Sequence, residues 1–399
     1  TKPLAAMSFT FPVVSALGSV ALGLGVGASS IIARAIGEGD RDRVQRLTTD
    51  SLVLSLLIVS LFVAVGLLTI DPLFTALGAD DETLILVRQY MYIWYPAMIF
   101  LVIPMVGNSA IRAAGNTKIP SLIMTVAAAI NIILDPVLIF GWGSIPALGL
   151  QGAAIATAIS RATTLVASLW FLYYREKMLC FRLPNFAVLV DSWRSILFIG
   201  LPAAGTNLVT PISIGIITSL LARYGAETVA GFGIASRVES FALIVILALS
   251  ATLGPFVGQN WGAKQHSRVR QALNLSFLFS LFWGAFLAAI LAFSSSWIAS
   301  LFDSNPDVVR VAVLYLILVP ASYTAWGIVI IATATFNALG KPIPSVTITL
   351  ARMLVLYVPL AYLGSAWFGI VGVFCAAAIA NYLVGIGAYW WTKKSCLSS

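Results

Sequence analysis

Eleven runs of about twenty or more predominantly apolar residues follow one another along this chain, separated by short polar breaks. They fall roughly at 3–33, 49–70, 88–111, 119–141, 148–174, 193–222, 228–258, 270–300, 308–337, 342–363 and 368–391. Each can cross a bilayer as a helix, the longer ones by tilting or projecting. Composition agrees: 60% of residues are hydrophobic and 10% are charged, against about 25% charged in soluble domains. The 23 Lys and Arg and 15 Asp and Glu cannot wet the surface of a 399-residue globule. The expected fold is an all-α polytopic membrane protein. Prolines inside the runs, among them Pro12, Pro96, Pro104, Pro136, Pro211, Pro255, Pro320 and Pro359, are expected to kink helices that their neighbours support.

The formal charge of +8 does not point to nucleic acid, because the basic residues sit in short loops between apolar runs. The loops alternate. Arg34, Arg41, Arg43 and Arg46 follow the first run, and Asp71, Asp80, Asp81 and Glu82 the second. Arg112 and Lys118 follow the third, 142–147 is uncharged, and Arg175, Lys177 and Arg182 precede the sixth. Lys264, His266, Arg268 and Arg270 are answered by Asp303 and Asp307, then Lys341, and finally Lys393 and Lys394. The positive-inside rule makes the basic loops and the C-terminus cytoplasmic, as expected in a bacterial inner (plasma) membrane, and puts Thr1 outside. Cys180, Cys375 and Cys396 lie far apart without metal-ligand spacing and read as inert thiols.

The sequence repeats. Ile36–Val44 echoes Trp261–Val269, pairing Gly37 with Gly262, Arg43 with Arg268 and Val44 with Val269 at an offset of 225 residues. Pro96 pairs with Pro320, Ala113–Pro120 with Ala338–Pro344, Gly149 and Gly152 with Gly369 and Gly372, and Ala158-Ile159 with Ala378-Ile379. A unit of six helices, an even number, gives both copies the same orientation: a parallel repeat with its pseudo-two-fold along the membrane normal. The run 193–222 has no partner upstream, and the topology starts outside. Both point to twelve helices, six plus six, of which eleven are here and the first is missing. The expected organisation is an N-terminal lobe at 1–178, a cytoplasmic linker at 179–192 and a C-terminal lobe at 193–399.

Two parallel six-helix lobes are expected to enclose a cleft, bind substrate near the midplane and alternate access. No carbonyl-lined filter sequence and no P-loop pattern is present, so an ion gradient is the expected energy source. Coupling then needs a titratable or oxygen-rich group inside the membrane. Asp135 is the outstanding candidate: it sits mid-run between Lys118 and Arg161, and Asn131 lies one turn earlier on the same helix face. Carboxylate and amide oxygens suit H⁺ or Na⁺; a structural, hydrogen-bonded Asp is the competing reading. Thr157 on the next run adds a hydroxyl or simply packs. Glu239 and Arg237 form a candidate C-lobe polar site, paired with each other or with other helices. Arg161 and Arg352 fall near run interiors, while Asp50 and Glu176 at run ends read as solvated. Tyr90, Tyr92, Trp94 and Tyr95 read as an interfacial belt or as a lining for flat cations. His266 alone in a loop does not make a catalytic site, so no enzyme, cofactor or resident metal is expected.

At these residues the chain resembles the multidrug and toxic compound extrusion (MATE) family. The resemblance rests on Gly-x-Gly-Asp-x-x-x-Val at 37–44, Arg-Ala-x-Gly-Asn-x-x-x-Pro at 112–120, Asn-x-x-x-Asp-Pro at 131–136 and Gly-x-x-Gly-Ala-Ala-x-Ala-Thr-x-Ile at 149–159. It implies a secondary antiporter exporting cationic or amphiphilic drugs against H⁺ or Na⁺. In the DinF-like branch it places an N-lobe ion site on Asn131, Asp135 and Thr157, with one further Asp on the missing helix. It implies small organic cations and membrane lipid as partners, a monomer, and no nucleic acid. A lipid-linked oligosaccharide flippase shares the two-lobe plan and is the alternative, kept open by Arg161, Arg237 and Arg352.

Overall fold

The computed structural model describes residues 2–142, 146–181 and 185–397. Thr1, Arg182 and positions 143–145 of the uncharged turn lie outside the described residues. The described chain is helical nearly throughout. Contacts divide it into two compact units, Thr1–Ala204 and Gly205–Ser399.

The first unit holds α1 (Lys2–Glu38), α2 (Arg41–Leu68), the short α3 (Ile70–Ala76), α4 (Asp81–Ala97), α5 (Ile99–Ala113), α6 (Lys118–Phe140), α7 (Gly149–Trp170) and the first half of α8 (Phe186–Leu221). The second holds the rest of α8, then α9 (Ala226–Ala242), α10 (Ile244–Gly262), α11 (His266–Phe302), α12 (Pro306–Leu318), α13 (Tyr323–Ala338), α14 (Pro342–Leu350) and α15 (Val358–Leu397). Ten stretches among the described residues are long and apolar enough to span a membrane. The last, Pro342–Cys396, is 55 residues long and breaks at Gly369, whose φ of 60° no α-helix tolerates, so it supplies two of the eleven expected spans.

Side-chain chemistry at the loops starts the helices. Asp40 caps α2 by accepting from the Arg43 amide, and Asp80 caps α4 by accepting from that of Thr83. Asn305 caps α12, with Pro306 at its first turn. Pro96 precedes the break between α4 and α5, and its repeat partner Pro320 opens a 3₁₀ turn between α12 and α13.

The repeat is visible in the backbone. Positive φ occurs at Gly39 and Lys264, at Gly115 and Gly340, and at Gly149 and Gly369, each pair being repeat counterparts. Gly149 and Gly369 sit at φ 55° and 60°, open the last hairpin of each lobe, and need the freedom that glycine alone has there. Three residues on, the helices cross closely. A Cβ on Gly152 would run into the Leu138 carbonyl oxygen, and one on Gly372 into that of Gly364.

The unit boundary falls inside α8, not in the 179–192 segment. Close packing explains it: a Cβ on Gly23 of α1 would collide with the Gly200 carbonyl oxygen, so the early part of α8 is seated on α1. Trp193 Nε1 also donates to the Asp50 carbonyl at 3.1 Å. Large side chains fill the first core, including Tyr95, Phe74 and Met91, and Tyr323, Phe336 and Phe374 fill the second unit. Bulky apolar side chains such as Phe293, Leu68 and Ile132 are left exposed, as lipid-facing positions require. Tyr90, Trp94 and Tyr95 are core residues; of that aromatic group Tyr92 alone is exposed and fits an interfacial belt.

Replacing Gly152 with Val should destabilise the protein by about 1–3 kcal/mol, because backbone rather than a movable side chain meets the new atoms. Gly254, where an added Cβ would have nothing within 4 Å, should accept Ala with a gain of about 0.5–1 kcal/mol. Thermal unfolding in detergent checks both, and equal behaviour of the two variants would contradict this packing.

Candidate functional site

In the first unit, α6 carries Asn131 and Asp135 on one face, and Asn131 Nδ2 donates to Asp135 Oδ1 at 3.3 Å. Both side chains are half-buried. Among the described residues the second carboxylate oxygen of Asp135 has no hydrogen-bond partner, which leaves it able to take an ion or proton. Pro136 follows at once and has no N–H to give the preceding turn. α7 is fastened to α6 by Ser160 Oγ, which donates to the Ala127 carbonyl at 2.6 Å. Thr157, one turn before Ser160 and half-buried, makes no hydrogen bond to the Asn131–Asp135 pair.

In the second unit, of the two pairings left open for Glu239 and Arg237, Glu239 takes the one with other helices. Arg237 is exposed and does not meet Glu239. Glu239 Oε2 instead accepts from the Tyr315 hydroxyl at 2.7 Å and from the Tyr323 hydroxyl at 3.1 Å. Arg352, 9% exposed, supplies an opposite charge near Glu239. Its Nη1 donates to Asn381 Oδ1 at 3.1 Å, and Asn381 Nδ2 donates to Ser322 Oγ at 2.9 Å. The Arg352 guanidinium also lies over the Trp326 ring, 4.7 Å from its centroid. The cluster thus draws on α9, α12, the 3₁₀ turn at Pro320–Ser322, α13, the π-helical segment Ala351–Tyr357 and α15. Two phenols donating to a carboxylate make charge-assisted bonds, the stronger kind.

Five of these partners, Tyr315, Ser322, Tyr323, Trp326 and Asn381, are not singled out by the sequence. Asn381, an amide deep in an apolar run, is the one whose signal was legible. Asp50 also departs from expectation. It is 1% exposed, not solvated, and its carboxylate bonds to Ser192, whereas Oδ2 has no partner among the described residues. Arg161 is exposed, and Glu176 is half-buried and accepts from Asn116.

A two-unit, all-helical membrane protein with a half-buried carboxylate–amide pair in one unit and a carboxylate–phenol–guanidinium cluster in the other is a polytopic transporter by architecture. Known proteins place it further. The MatE family profile matches residues 1–137 and 202–363, and the chain belongs to this family of transporters. An FAD transporter of Shewanella oneidensis is 41% identical over 396 residues, covering 99% of this chain and 88% of that protein. The multidrug export protein MepA of Staphylococcus aureus is 26% identical, covering 96% and 84%. The Vibrio cholerae MATE transporter VcmN in its bent form superposes with a TM-score of 0.94 at 30% identity, covering 100% of this chain and 90% of that one.

Replacing Tyr315 with Phe removes the shorter of the two phenol bonds to Glu239 and should cost about 1.5–3 kcal/mol of stability. Replacing Arg237 with Gln should cost less than about 0.5 kcal/mol, because its side chain is exposed. Thermal unfolding of the two variants side by side tests the cluster as described.

Proposed function

We propose that the chain is an ion-driven exporter of small organic molecules in the bacterial inner membrane, working by alternating access, with its basic loops and C-terminus in the cytoplasm. The observation that carries the reading is the Asn131–Asp135 pair, half-buried in the second half of an apolar helix. A carboxylate held there is costly while charged and unpaired, so it takes up H⁺ or Na⁺ when open to one side and gives it up on the other. Two oxygens of Asp135 and the amide oxygen of Asn131 are suitable donors for either ion. Exchange follows if the ion and the substrate each favour a different conformation, because linkage is reciprocal. Thr157, one turn before Ser160 on α7, would join on a small rotation of that helix.

For the substrate, we favour a flavin dinucleotide such as FAD. Its support is the 41% identity over nearly the whole chain to the Shewanella oneidensis FAD transporter, against 25–26% to proteins named for multidrug export. The second reading is a cationic or amphiphilic drug, favoured by the half-buried carboxylate of Asp135 and by the relatives named for multidrug export. The lipid-linked oligosaccharide flippase reading is less favoured, since the relatives are named as FAD or multidrug transporters and Arg352 is engaged with Asn381 and Trp326.

The protein reconstituted in liposomes should move FAD under an imposed H⁺ or Na⁺ gradient. Asp135→Asn should lower that rate at least about tenfold while the protein remains folded. FAD movement that ignores both gradients, or that Asp135→Asn leaves unchanged, would overturn the coupling reading. A gradient-driven flux of a cationic dye such as ethidium without FAD would replace the first substrate with the second.

A further inference from the structure

The first unit carries a polar cavity that the transport reading does not use. It has a volume of about 480 Å³ and lies where the loop after α5 meets the end of α7. Its lining includes Asn116, Thr117, Lys118, Arg175 and Glu176. The one carboxylate is already engaged: Glu176 Oε1 accepts from Asn116 Nδ2 at 3.1 Å. Lys118 and Arg175 are exposed and make no ion pair or hydrogen bond among the described residues. Lys177, also exposed and two residues after Arg175 in the chain, carries a third positive charge, and its carbonyl accepts from Gln45 Nε2 at 2.9 Å. The cavity is therefore net positive and unfilled by the protein's own anions.

The chain that leads into Arg175 carries a cluster of exposed rings. After Trp170 the α-helix gives way to a π turn, Phe171–Arg175. Tyr173 and Tyr174 lie 4.7 Å apart edge to face, Tyr173 meets Phe181 at 5.6 Å, and Trp170 meets Tyr174 at 5.7 Å. Trp and Tyr collect at the level of the lipid headgroups. Rings at that level with unpaired cations just beyond them match an anionic lipid: glycerol and acyl chains against the rings, phosphate against the cations.

The repeat supplies a contrast. At the corresponding corner of the second unit, Lys341 lies 6.0 Å from the Trp261 ring centroid and Lys393 lies 4.6 Å from that of Tyr389. Those cations are covered by the protein's own rings. Lys118 and Arg175 have no such cover.

We propose that this cavity binds the phosphate headgroup of an anionic phospholipid in the leaflet facing the basic loops, with Lys118 and Arg175 holding the phosphate. The site belongs to the first unit alone and is independent of the substrate and of Asp135.

Native mass spectrometry of the purified protein tests it, with phosphatidylglycerol, phosphatidylcholine and inorganic phosphate as probes. Wild type should retain phosphatidylglycerol over phosphatidylcholine. The double variant Lys118→Gln, Arg175→Gln should retain it about tenfold less, and Lys118→Arg, Arg175→Lys should restore it. The matching second-unit variant, Lys341→Gln with Lys393→Gln, should leave it unchanged. Phosphatidylglycerol should also raise the unfolding temperature of wild type and not that of the double neutral variant. Equal retention of the two lipids by wild type, or undiminished phosphatidylglycerol in the double variant, would overturn the proposal. Displacement of the lipid by inorganic phosphate at equal concentration would assign the site to free phosphate instead.

Discussion

Hydrocarbon offers no partner for a peptide N–H or C=O, and a chain that crosses it must satisfy those groups from within. Almost everything in this structure follows from that requirement. The described chain is helix after helix because the helix closes its own hydrogen bonds. Where the helix yields, as at Met98, Pro320–Ser322 and Gly369, a proline or a glycine stands at or beside the break. Close helix crossings at Gly23–Gly200 and Gly364–Gly372 replace the hydrophobic driving force that lipid removes, since small residues let backbones approach and gain dispersion contacts.

The same medium sorts the polar side chains. The serine and threonine hydroxyls of many spans donate back to carbonyls one turn earlier, as Thr48 does to Val44 and Thr335 to Ile331, and so cost little. The charged groups have no such local escape. Glu239 finds two phenols from different helices, and Arg352 finds an amide and an indole face. Asp135 finds one amide at 3.3 Å and nothing stronger. In the C-lobe cluster the Glu239 carboxylate is held by two phenols, with only Arg352 Nε left unbonded among the described residues, whereas the N-lobe carboxylate retains bonding capacity. That difference is why the coupling reading rests on Asp135 and not on Glu239.

The spans and the repeat were legible from sequence because both are one-dimensional signals: the length of apolar runs and the order of matched residues. The left-handed positions confirm the alignment to the residue, with Lys264 standing in the second lobe where Gly39 stands in the first. Asn131 and Asp135 were legible because positions four apart share a helix face. For Glu239 and Arg237 the same geometry excludes one of the two pairings left open: residues two apart point away from each other on a helix, so adjacency in sequence is not contact. The partners of Glu239 come from runs more than seventy residues away and leave no local signature. Asp50 looked terminal because the apolar run begins near it. The helix begins at Arg41, which places Asp50 about 14 Å inside it.

Membership of the MATE family and the polytopic fold leave the exchange step as the central claim. It is tested most directly by running the exchange backwards and reading the ion. Liposomes holding the protein and an internal pH-sensitive or sodium-sensitive dye would be given an FAD gradient and no ion gradient. The account predicts that the FAD gradient drives H⁺ or Na⁺ the opposite way across the membrane, and that Asp135→Asn abolishes the ion movement. FAD crossing with no ion moving in return would contradict it.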